Sequence, residues 1–456
     1  MRSTGLVSVL ATVAGLATAS PTRTDPEPPT KRSSMPTVTV SGNAFWQGNT
    51  RFYIRGVDYQ PGGSSDQKDP LADPKVCKRD IALFKALGIN TIRVYITDNS
   101  ADHDSCMDEL ADAGIYVIFD ANNPKYSINR FNPESSYNHV YLQSVFATID
   151  AFAKYPNTLA FFSGNEVVND MVNSTLSARF VKATTRDMRQ YIGNRGYRKI
   201  PVGYSAADVA QNRKQLSDYM NCGTDDERSD FFAFNDYSWC NSDFKTSGWD
   251  QKVKTFAGYG IPIFLSEYGC NTAGARNFGE IGALMSRDMT GVYSGGLMYE
   301  YAKGVNNYGI VDVNGGPDAE AVQEGEFSKF QSALSAYPPP EGDGGAQSKT
   351  HAAACPTKDD NWLVDSTLLP AIPEGAMAYM KNGAGPGPGL GGAGSQNAGG
   401  TSTGDAKPGS GSITATPSPS STKNAASKPN ARSVDKAPIA LGALVIVLTL
   451  SGTLLL

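Results

Sequence analysis

The sequence predicts an α/β chain whose eight parallel strands, each followed by a helix, close into a (β/α)8 TIM barrel. Three observations carry that expectation. Apolar runs of strand length recur eight times between about residues 51 and 302. Segments with helical spacing lie between most of them, and a strand–helix alternation implies parallel pairing. No glycine-rich phosphate loop follows the first run, which places the open doubly wound sheet second.

In order, the strand candidates are RFYIRGVDY (51–59), INTIRVYI (89–96), IYVIFD (115–120) and TLAFFSGNE (158–166), then PVGYSA (201–206), FFAFNDYSW (231–239), PIFLSEYG (262–269) and SGGLMYEYA (294–302). VCKRDIALFKALG precedes the second strand with Ile81, Phe84 and Leu87 on roughly helical spacing. LSARFVKATTRDMRQYIG (176–193) is the longest clear helix.

The ends read differently from the middle. Residues 1–19 carry Arg2, a short apolar run from Leu6 to Leu16 and the small residues Ala17-Thr18-Ala19, the pattern of a secretory signal peptide cleaved after Ala19; a buried N-terminal helix is the alternative. Residues 20–36, rich in Pro, Thr and charge, are expected to be disordered. The folded region runs to about Lys381, with a barrel domain at 37–355 and a short C-terminal extension at 356–381. Residues 382–424 are mostly Gly, Ser, Ala, Thr and Pro, a composition that cannot bury a core and reads as a disordered stalk. Small residues at Asn424, Ala425 and Ala426, a polar spacer and the uncharged run Ala437–Leu456 form the pattern of a GPI-anchor signal (425–456), with attachment at Asn424. A transmembrane tail anchor is the alternative. The protein is then expected on the outer face of the plasma membrane, or in a cell wall.

A net charge of −5 with no basic block argues against nucleic acid as a partner. The six cysteines, an even number on an oxidising route, predict three disulfides among fifteen possible pairings. With no CxxC pair and three histidines, neither a metal site nor a cofactor is expected. Asn173-Ser174-Thr175 is a glycosylation sequon, and the protein is expected to be a monomer.

Reactive groups of such barrels sit where strands run out at their C-terminal ends. Those ends hold Asp58-Tyr59, Tyr95, Asp120, Asn165-Glu166, Asp236-Tyr237, Glu267 and Glu300. A cleft of carboxylates, amides and tyrosines suits sugars, whose hydroxyls take hydrogen bonds while rings cover their apolar faces. Glu166 ends the fourth strand and Glu267 the seventh, on opposite sides of the mouth. Glycoside cleavage needs two such groups, one protonating the leaving oxygen and one attacking or activating water; Asn165 is placed to bind the sugar 2-hydroxyl. A solvated strand-end role competes for either Glu alone; the paired placement favours catalysis. Asp58 and Asp120 read as structural acids.

In combination and order, RGVDYQPGG (55–63), DPLAD (69–73), NTIRVY (90–95), YSINR (126–130), SGNEVVN (163–169), LSEYGC (265–270) and YEYA (299–302) resemble the fungal GPI-anchored β-1,3-glucanosyltransferases of glycoside hydrolase family 72. The resemblance spans roughly residues 37–355. It implies that Glu166 is the acid/base and Glu267 the nucleophile of a retaining enzyme that cleaves β-1,3-glucan internally and passes the new reducing end to another glucan chain. It implies glucan contacts at Tyr95, Asn122, Asn123, Tyr126, Asn129, Arg130, Asn165, Asp208, Arg213 and Tyr299, and a tyrosine holding the nucleophile at Tyr237. It also implies the pairings Cys77–Cys106, Cys222–Cys355 and Cys240–Cys270, which fit the positions of these residues beside neighbouring strands. The chain departs from the family in three places. No cysteine follows Cys355, as in the short subfamily without a cysteine-rich carbohydrate-binding module; Ser238 stands where a Glu is common; and NNPKYSINR opens with amides. Tyr299, Tyr301 and Asn306-Asn307-Tyr308 are candidates for an acceptor platform. A secreted endo-β-1,3-glucanase and a catalytically silent wall glucan-binding protein are the alternative functions.

Overall fold

The computed structural model describes residues 35–63, 67–313, 320–364, 368–406 and 416–417. The expected signal peptide, Asn424 and the anchor signal lie outside the described residues.

The described residues begin with an antiparallel unit that the sequence reading missed: β1 (Val38–Ser41), β2 (Ala44–Gln47) and β3 (Thr50–Phe52). Its first turn needs glycine. Gly42 has φ 60°, and a Cβ there would lie 1.6 Å from the Gln347 carbonyl oxygen. The run 51–59, expected as one strand, is split at Tyr53, where the chain leaves this unit and enters the barrel.

Eight strands then follow: β4 (Ile54–Tyr59), β5 (Thr91–Val94), β6 (Tyr116–Asp120), β7 (Thr158–Asn165), β8 (Val202–Ala207), β9 (Phe231–Asp236), β10 (Ile263–Tyr268) and β11 (Tyr293–Met298). Each is parallel to its neighbours in chain order, and β11 pairs with β4 to close the barrel. The expected fold class is therefore the observed one, and the near-continuous apolar runs follow from burial on both faces. The helix Pro74–Leu87 shows how local sequence sets the elements between. Asp73 caps it by accepting the Lys75 N–H at 2.9 Å, Ile81, Phe84 and Leu87 face the core, and Gly88 ends it in the left-handed region at φ 73°.

The barrel interior is divided. Toward the N-terminal ends of the strands, Phe45 of β2 plugs the opening, packing on Phe231 and Phe264 with centroids 5.9 and 5.8 Å apart. Ile54, Ile118, Phe162 and Leu297 complete that apolar layer. The polar layer lies at the other end. All three expected disulfides are formed, Cys77–Cys106, Cys222–Cys355 and Cys240–Cys270.

The C-terminal segment corrects an expectation. Residues 383–406, read as disordered stalk, lie along the barrel. Gln143 Nε2 donates to the Ala384 and Pro386 carbonyls at 3.0 and 2.9 Å, and the Ala384 N–H donates to Tyr191 Oη at 2.8 Å. Gly404–Ala406 pairs antiparallel with Leu369–Pro370. A Gly-rich chain needs no core of its own where backbone hydrogen bonds and close approach to an existing surface hold it.

Phe45→Ala should remove about 3–5 kcal/mol, the range for emptying a buried aromatic site. Chemical denaturation should show the lowered midpoint, and specific activity in buffer should be unchanged because the plug lies at the far end from the polar layer.

Candidate active site

The polar layer is organised by Arg93 on β5. Its side chain is completely buried, so its charge must be paired. Nε and Nη2 donate to the two carboxylate oxygens of Asp120, on the adjacent β6, at 2.8 and 3.1 Å. Nη1 donates to Glu267 Oε1 at 3.2 Å, and Nη2 donates to Asn165 Oδ1 at 3.0 Å. The guanidinium lies over the rings of Tyr95 and Phe162, 4.1 and 4.6 Å from their centroids. One cation thus touches the last residue of the fourth barrel strand and the penultimate residue of the seventh.

Glu267 on β10 is 7% exposed and accepts three donors. Tyr95 Oη donates to Oε1 at 2.8 Å and Tyr237 Oη to Oε2 at 2.6 Å, with Arg93 as the third. Burial pushes this carboxyl up to about 7; Arg93 pulls it down, the Glu166 charge pushes it up, and the two tyrosine hydroxyls pull it down.

Glu166 follows β7 in the left-handed region, at φ 48°, a costly backbone for a residue with a Cβ. Its N–H donates to the Ser205 carbonyl at 2.9 Å, and its own carbonyl accepts from Arg130 Nη2. Arg130 Nε also donates to the Val167 carbonyl at 3.1 Å. Glu166 Oε1 accepts from Asn235 Nδ2 at 2.9 Å. The ladders shift register at both catalytic candidates, between Phe162 and Asn165 against β8 and between Leu265 and Glu267 against β9. Such irregularities re-aim side chains at a sheet end.

Asn165 Oδ1 gathers Arg93, Ser205 Oγ at 2.6 Å and Asn235 Nδ2 at 3.2 Å. That convergence fixes its amide so that Nδ2 is left to serve a ligand. Ser205 Oγ and Ser266 Oγ also meet Asn235 Oδ1, at 3.1 and 2.8 Å. The sequence reading missed Arg93, Asn235, Ser205 and Ser266. The only signal for Arg93 was one cation inside the apolar run NTIRVY.

The remaining expected site residues divide. Tyr299 packs edge-on against Tyr237 and Tyr308, with centroids 6.1 and 5.4 Å apart, beside the exposed Asn306 and Asn307. Tyr301 is instead fully buried, donating to Asp80 Oδ1 at 2.9 Å, so it forms no part of a platform. Asp208 and Arg213 form an ion pair, and Lys252 Nζ links Asp208 to Asp236 at 2.6 and 2.5 Å and donates to Ser238 Oγ at 3.0 Å. In the Asn122–Arg130 loop, Asn122 Oδ1 accepts Tyr141 Oη at 2.5 Å, and Asn123 Oδ1 accepts the Lys125 and Tyr126 N–H groups of its own turn. Tyr126, expected to touch glucan, is 2% exposed and its hydroxyl accepts the Gly394 N–H, so the C-terminal segment covers it. Asn129 Nδ2 donates to Gln396 Oε1 at 3.1 Å. Asp120, read as a structural acid, is the partner of Arg93. Asp58 is completely buried near Glu267 and Glu300, and burial drives its carboxyl well above the usual range against the pull of Arg93.

Two carboxylates at the mouth of a (β/α)8 barrel, with an amide beside one and tyrosines on the other, define a glycoside-cleaving enzyme. Comparison with known proteins narrows the class. The glucanosyltransferase pattern of glycoside hydrolase family 72 matches residues 28–337. The chain is 62% identical over 356 residues to the 1,3-beta-glucanosyltransferase gel1 of Aspergillus fumigatus, covering 78% of each protein. It is 50% identical over 359 residues to the 1,3-beta-glucanosyltransferase GAS5 of Saccharomyces cerevisiae, covering 77% of this chain and 73% of that one. Among solved structures it resembles a Gas2p variant of Saccharomyces cerevisiae in complex with laminaritetraose and laminaripentaose, with 38% identity, a TM-score of 0.68 and 74% of each chain covered. The chain belongs to the glucanosyltransferase family, glycoside hydrolase family 72.

Arg93→Met should cost about 3–5 kcal/mol, because it strands the buried Asp120 and takes a partner from Glu267. Adding Asp120→Asn should recover part of that loss. Urea denaturation of the two single variants and the double variant measures the coupling, which should be absent if Arg93 and Asp120 acted independently.

Proposed function

We propose that Glu267 is the nucleophile and Glu166 the acid/base of this β-1,3-glucanosyltransferase, working by retaining double displacement. The observation that carries the assignment is the asymmetry of their partners. Among the described residues three donors bond Glu267, and these bonds favour its carboxylate against the burial that raises it. Glu166 meets a single neutral amide, which leaves it the proton-carrying role.

In the first step a Glu267 oxygen attacks the anomeric carbon of a β-1,3-linked glucose. The bond to the leaving oxygen breaks, and Glu166 gives that oxygen its proton. Arg93, Tyr95 and Tyr237 hold the attacking carboxylate in line. Asn165 Nδ2 donates to the 2-hydroxyl, a contact that strengthens as the ring becomes oxocarbenium-like. In the second step the non-reducing end of another glucan chain enters. Its hydroxyl loses a proton to Glu166 and attacks the same carbon, releasing Glu267. The product is a longer β-1,3-glucan. Water can take the acceptor's place, which would make the same site an endo-β-1,3-glucanase. An aligned acceptor hydroxyl gains several kcal/mol over bulk water through effective molarity. Tyr299, Tyr308 and the Asn306–Asn307 loop form the acceptor platform in this reading, while Tyr95, Asn122, Arg130, Asp208 and Arg213 stay candidates for glucan contact.

The chain is a secreted or wall-associated enzyme. In this proposal residues 1–19 are removed on secretion and residues 425–456 are exchanged for a GPI lipid at Asn424. The barrel domain of 37–355, with its extension at 356–381, is then held as a monomer on the outer face of the plasma membrane. Asn173, exposed in the helical turn Val172–Ser177, is placed to carry a glycan.

Glu267→Gln should abolish transfer and hydrolysis in a folded protein, because the covalent intermediate cannot form. Glu166→Gln should do nearly the same on natural glucan but spare the first step with an aryl donor, seen as the burst of released phenol. Near-normal activity of either variant on glucan would refute the assignment. With an excess of a β-1,3-oligosaccharide, products longer than the substrate should appear early, and Tyr299→Ala should shift them towards hydrolysis or lower turnover; only shorter products at every concentration would make the enzyme an endo-glucanase.

The pH dependence follows from the position of Glu267 near 7. Only its ionised form attacks, so loading of an aryl donor should rise with pH through that region. Removing the Glu166 charge takes away one of the influences that raise Glu267. In Glu166→Gln the rise should therefore move to lower pH, measured as the burst of released phenol across pH; an unmoved or upward-shifted profile would contradict this coupling.

A further inference from the structure

The Gly-rich segment after the helix Met377–Asn382 is bonded to the Asn122–Arg130 loop at almost every residue of the loop's middle. Lys125 Nζ donates to the Leu390 and Gly392 carbonyls at 2.7 and 3.2 Å. The Lys125 carbonyl accepts the Ser395 N–H at 2.9 Å. Tyr126 Oη accepts the Gly394 N–H at 3.2 Å. Gln396 Nε2 donates to the Ser127 carbonyl at 2.9 Å, and its Oε1 accepts Asn129 Nδ2 at 3.1 Å. Behind the loop, Asn138 Nδ2 donates to the Ser395 carbonyl at 2.6 Å, and Ser395 is completely buried.

The contact depends on the absence of a side chain. A Cβ on Gly392 would lie 2.0 Å from Tyr126 Oη. The composition that reads as a flexible stalk is here what allows the backbone to lie against the loop.

The loop in turn ends on Arg130, whose guanidinium donates to the Glu166 and Val167 carbonyls. Glu166 sits in the left-handed region, where a non-glycine residue persists only if its surroundings hold it. Arg130 provides that hold on the carbonyl side, and Ser205 provides it on the amide side. Asn129, bonded to Gln396, is the residue next to Arg130, and its Oδ1 also accepts the Phe131 N–H at 3.0 Å. Hydrogen bonds at Asn129 and at Arg130, joined by the covalent chain between these two residues, therefore link the C-terminal segment to the backbone of the acid/base.

We propose that residues 389–396 are a clamp that fixes the Asn122–Arg130 loop and, through Arg130, positions Glu166 for proton transfer. The inference rests on Glu166 being the acid/base, as proposed above. Its consequence is specific. Disturbing the clamp should impair the step that needs the acid, while leaving attack by Glu267 nearly intact. Gly392 and Gln396 are positioning residues in this sense and touch no substrate.

The test compares Gly392→Leu, Gln396→Ala and the control Gly391→Ala in the full chain, Gly391 having open space around its Cα. Each is assayed on a reduced β-1,3-oligosaccharide and on a dinitrophenyl β-1,3-glucobioside, with thermal midpoints measured in parallel. Misplacing a general acid, whose action is worth about 10²–10⁴-fold, should lower kcat on the oligosaccharide by about tenfold or more for Gly392→Leu. Gln396→Ala, the milder change, should show the same pattern to a smaller extent. The pre-steady-state burst of dinitrophenolate from the activated donor, which reports attack by Glu267 before Glu166 serves the acceptor as base, should slow less than about twofold, since that leaving group needs little protonation. Gly391→Ala should match the wild type on both. Equal losses on the oligosaccharide and in that burst would overturn the proposal, because they would place the segment's effect on the fold or on donor binding. No loss on either substrate for Gly392→Leu and Gln396→Ala would overturn it as well. Glu166→Gln run beside them separates the two levels of the argument. If it fails to spare the burst, the acid assignment falls and the clamp with it. If it spares the burst and the clamp variants do not, the acid assignment stands and the clamp alone is refuted.

Discussion

The site depends on one buried cation. Arg93 has no access to water and must satisfy its donors within the protein. It does so by spanning β6, β7 and β10 through Asp120, Asn165 and Glu267. The bidentate pair with Asp120 fixes the plane of the guanidinium, and the rings of Tyr95 and Phe162 fix its faces. Once that plane is set, the remaining edge of the guanidinium defines where Glu267 and Asn165 can stand. Strand pairing alone places residues to within a register step. The guanidinium narrows that to hydrogen-bond tolerance.

The barrel separates stability from chemistry along its axis. Phe45, Phe162, Phe231 and Phe264 fill the end nearer the strand starts with apolar packing and no polar group to satisfy. The opposite end is built from groups that need partners, and the ladders shift register there too, at Asn165 and Glu267. Departure from regular pairing turns each side chain into the mouth. The left-handed backbone of Glu166 belongs to the same departure, and it is tolerated because Ser205 and Arg130 grip both sides of the residue.

What the sequence disclosed follows from how local each signal is. Eight apolar runs and the helix between Asp73 and Gly88 announce themselves within a few residues, and Glu166 and Glu267 stand at strand ends that those runs define. Arg93 was passed over because its meaning lies in Asp120, Asn165 and Glu267, each on another strand. Asn235, Ser205 and Ser266 likewise become a network only when β7 to β10 are side by side. The break at Tyr53 is invisible because the residues around it, Phe52, Tyr53 and Ile54, are all strand-forming. Tyr301 alternates correctly with Tyr299, yet a phenol buried on Asp80 and one at the cleft look alike in sequence. The segment 383–406 was misread because composition reports whether a chain can bury its own core, not whether a finished surface offers it hydrogen bonds.

The two carboxylates are chemically identical, so their division of labour must come from their surroundings. Burial acts on Glu267 in the direction that opposes ionisation. Against it stand a guanidinium and two phenols, all donors, in contact with both oxygens. Protonating Glu267 would set an O–H against one of those donors and leave a buried hydroxyl without its acceptor, a cost on the order of 1–3 kcal/mol. In the proposed double displacement the same tyrosines release part of this grip when the carboxylate becomes an ester, because the attacking oxygen then gives up its charge. That grip is therefore strongest where the nucleophile waits and weakest in the covalent intermediate, and it returns as the acceptor displaces the sugar. A carboxylate regaining three charge-assisted hydrogen bonds is a better leaving group than an exposed one. The geometry that holds Glu267 ready for the first displacement thus also favours its departure in the second.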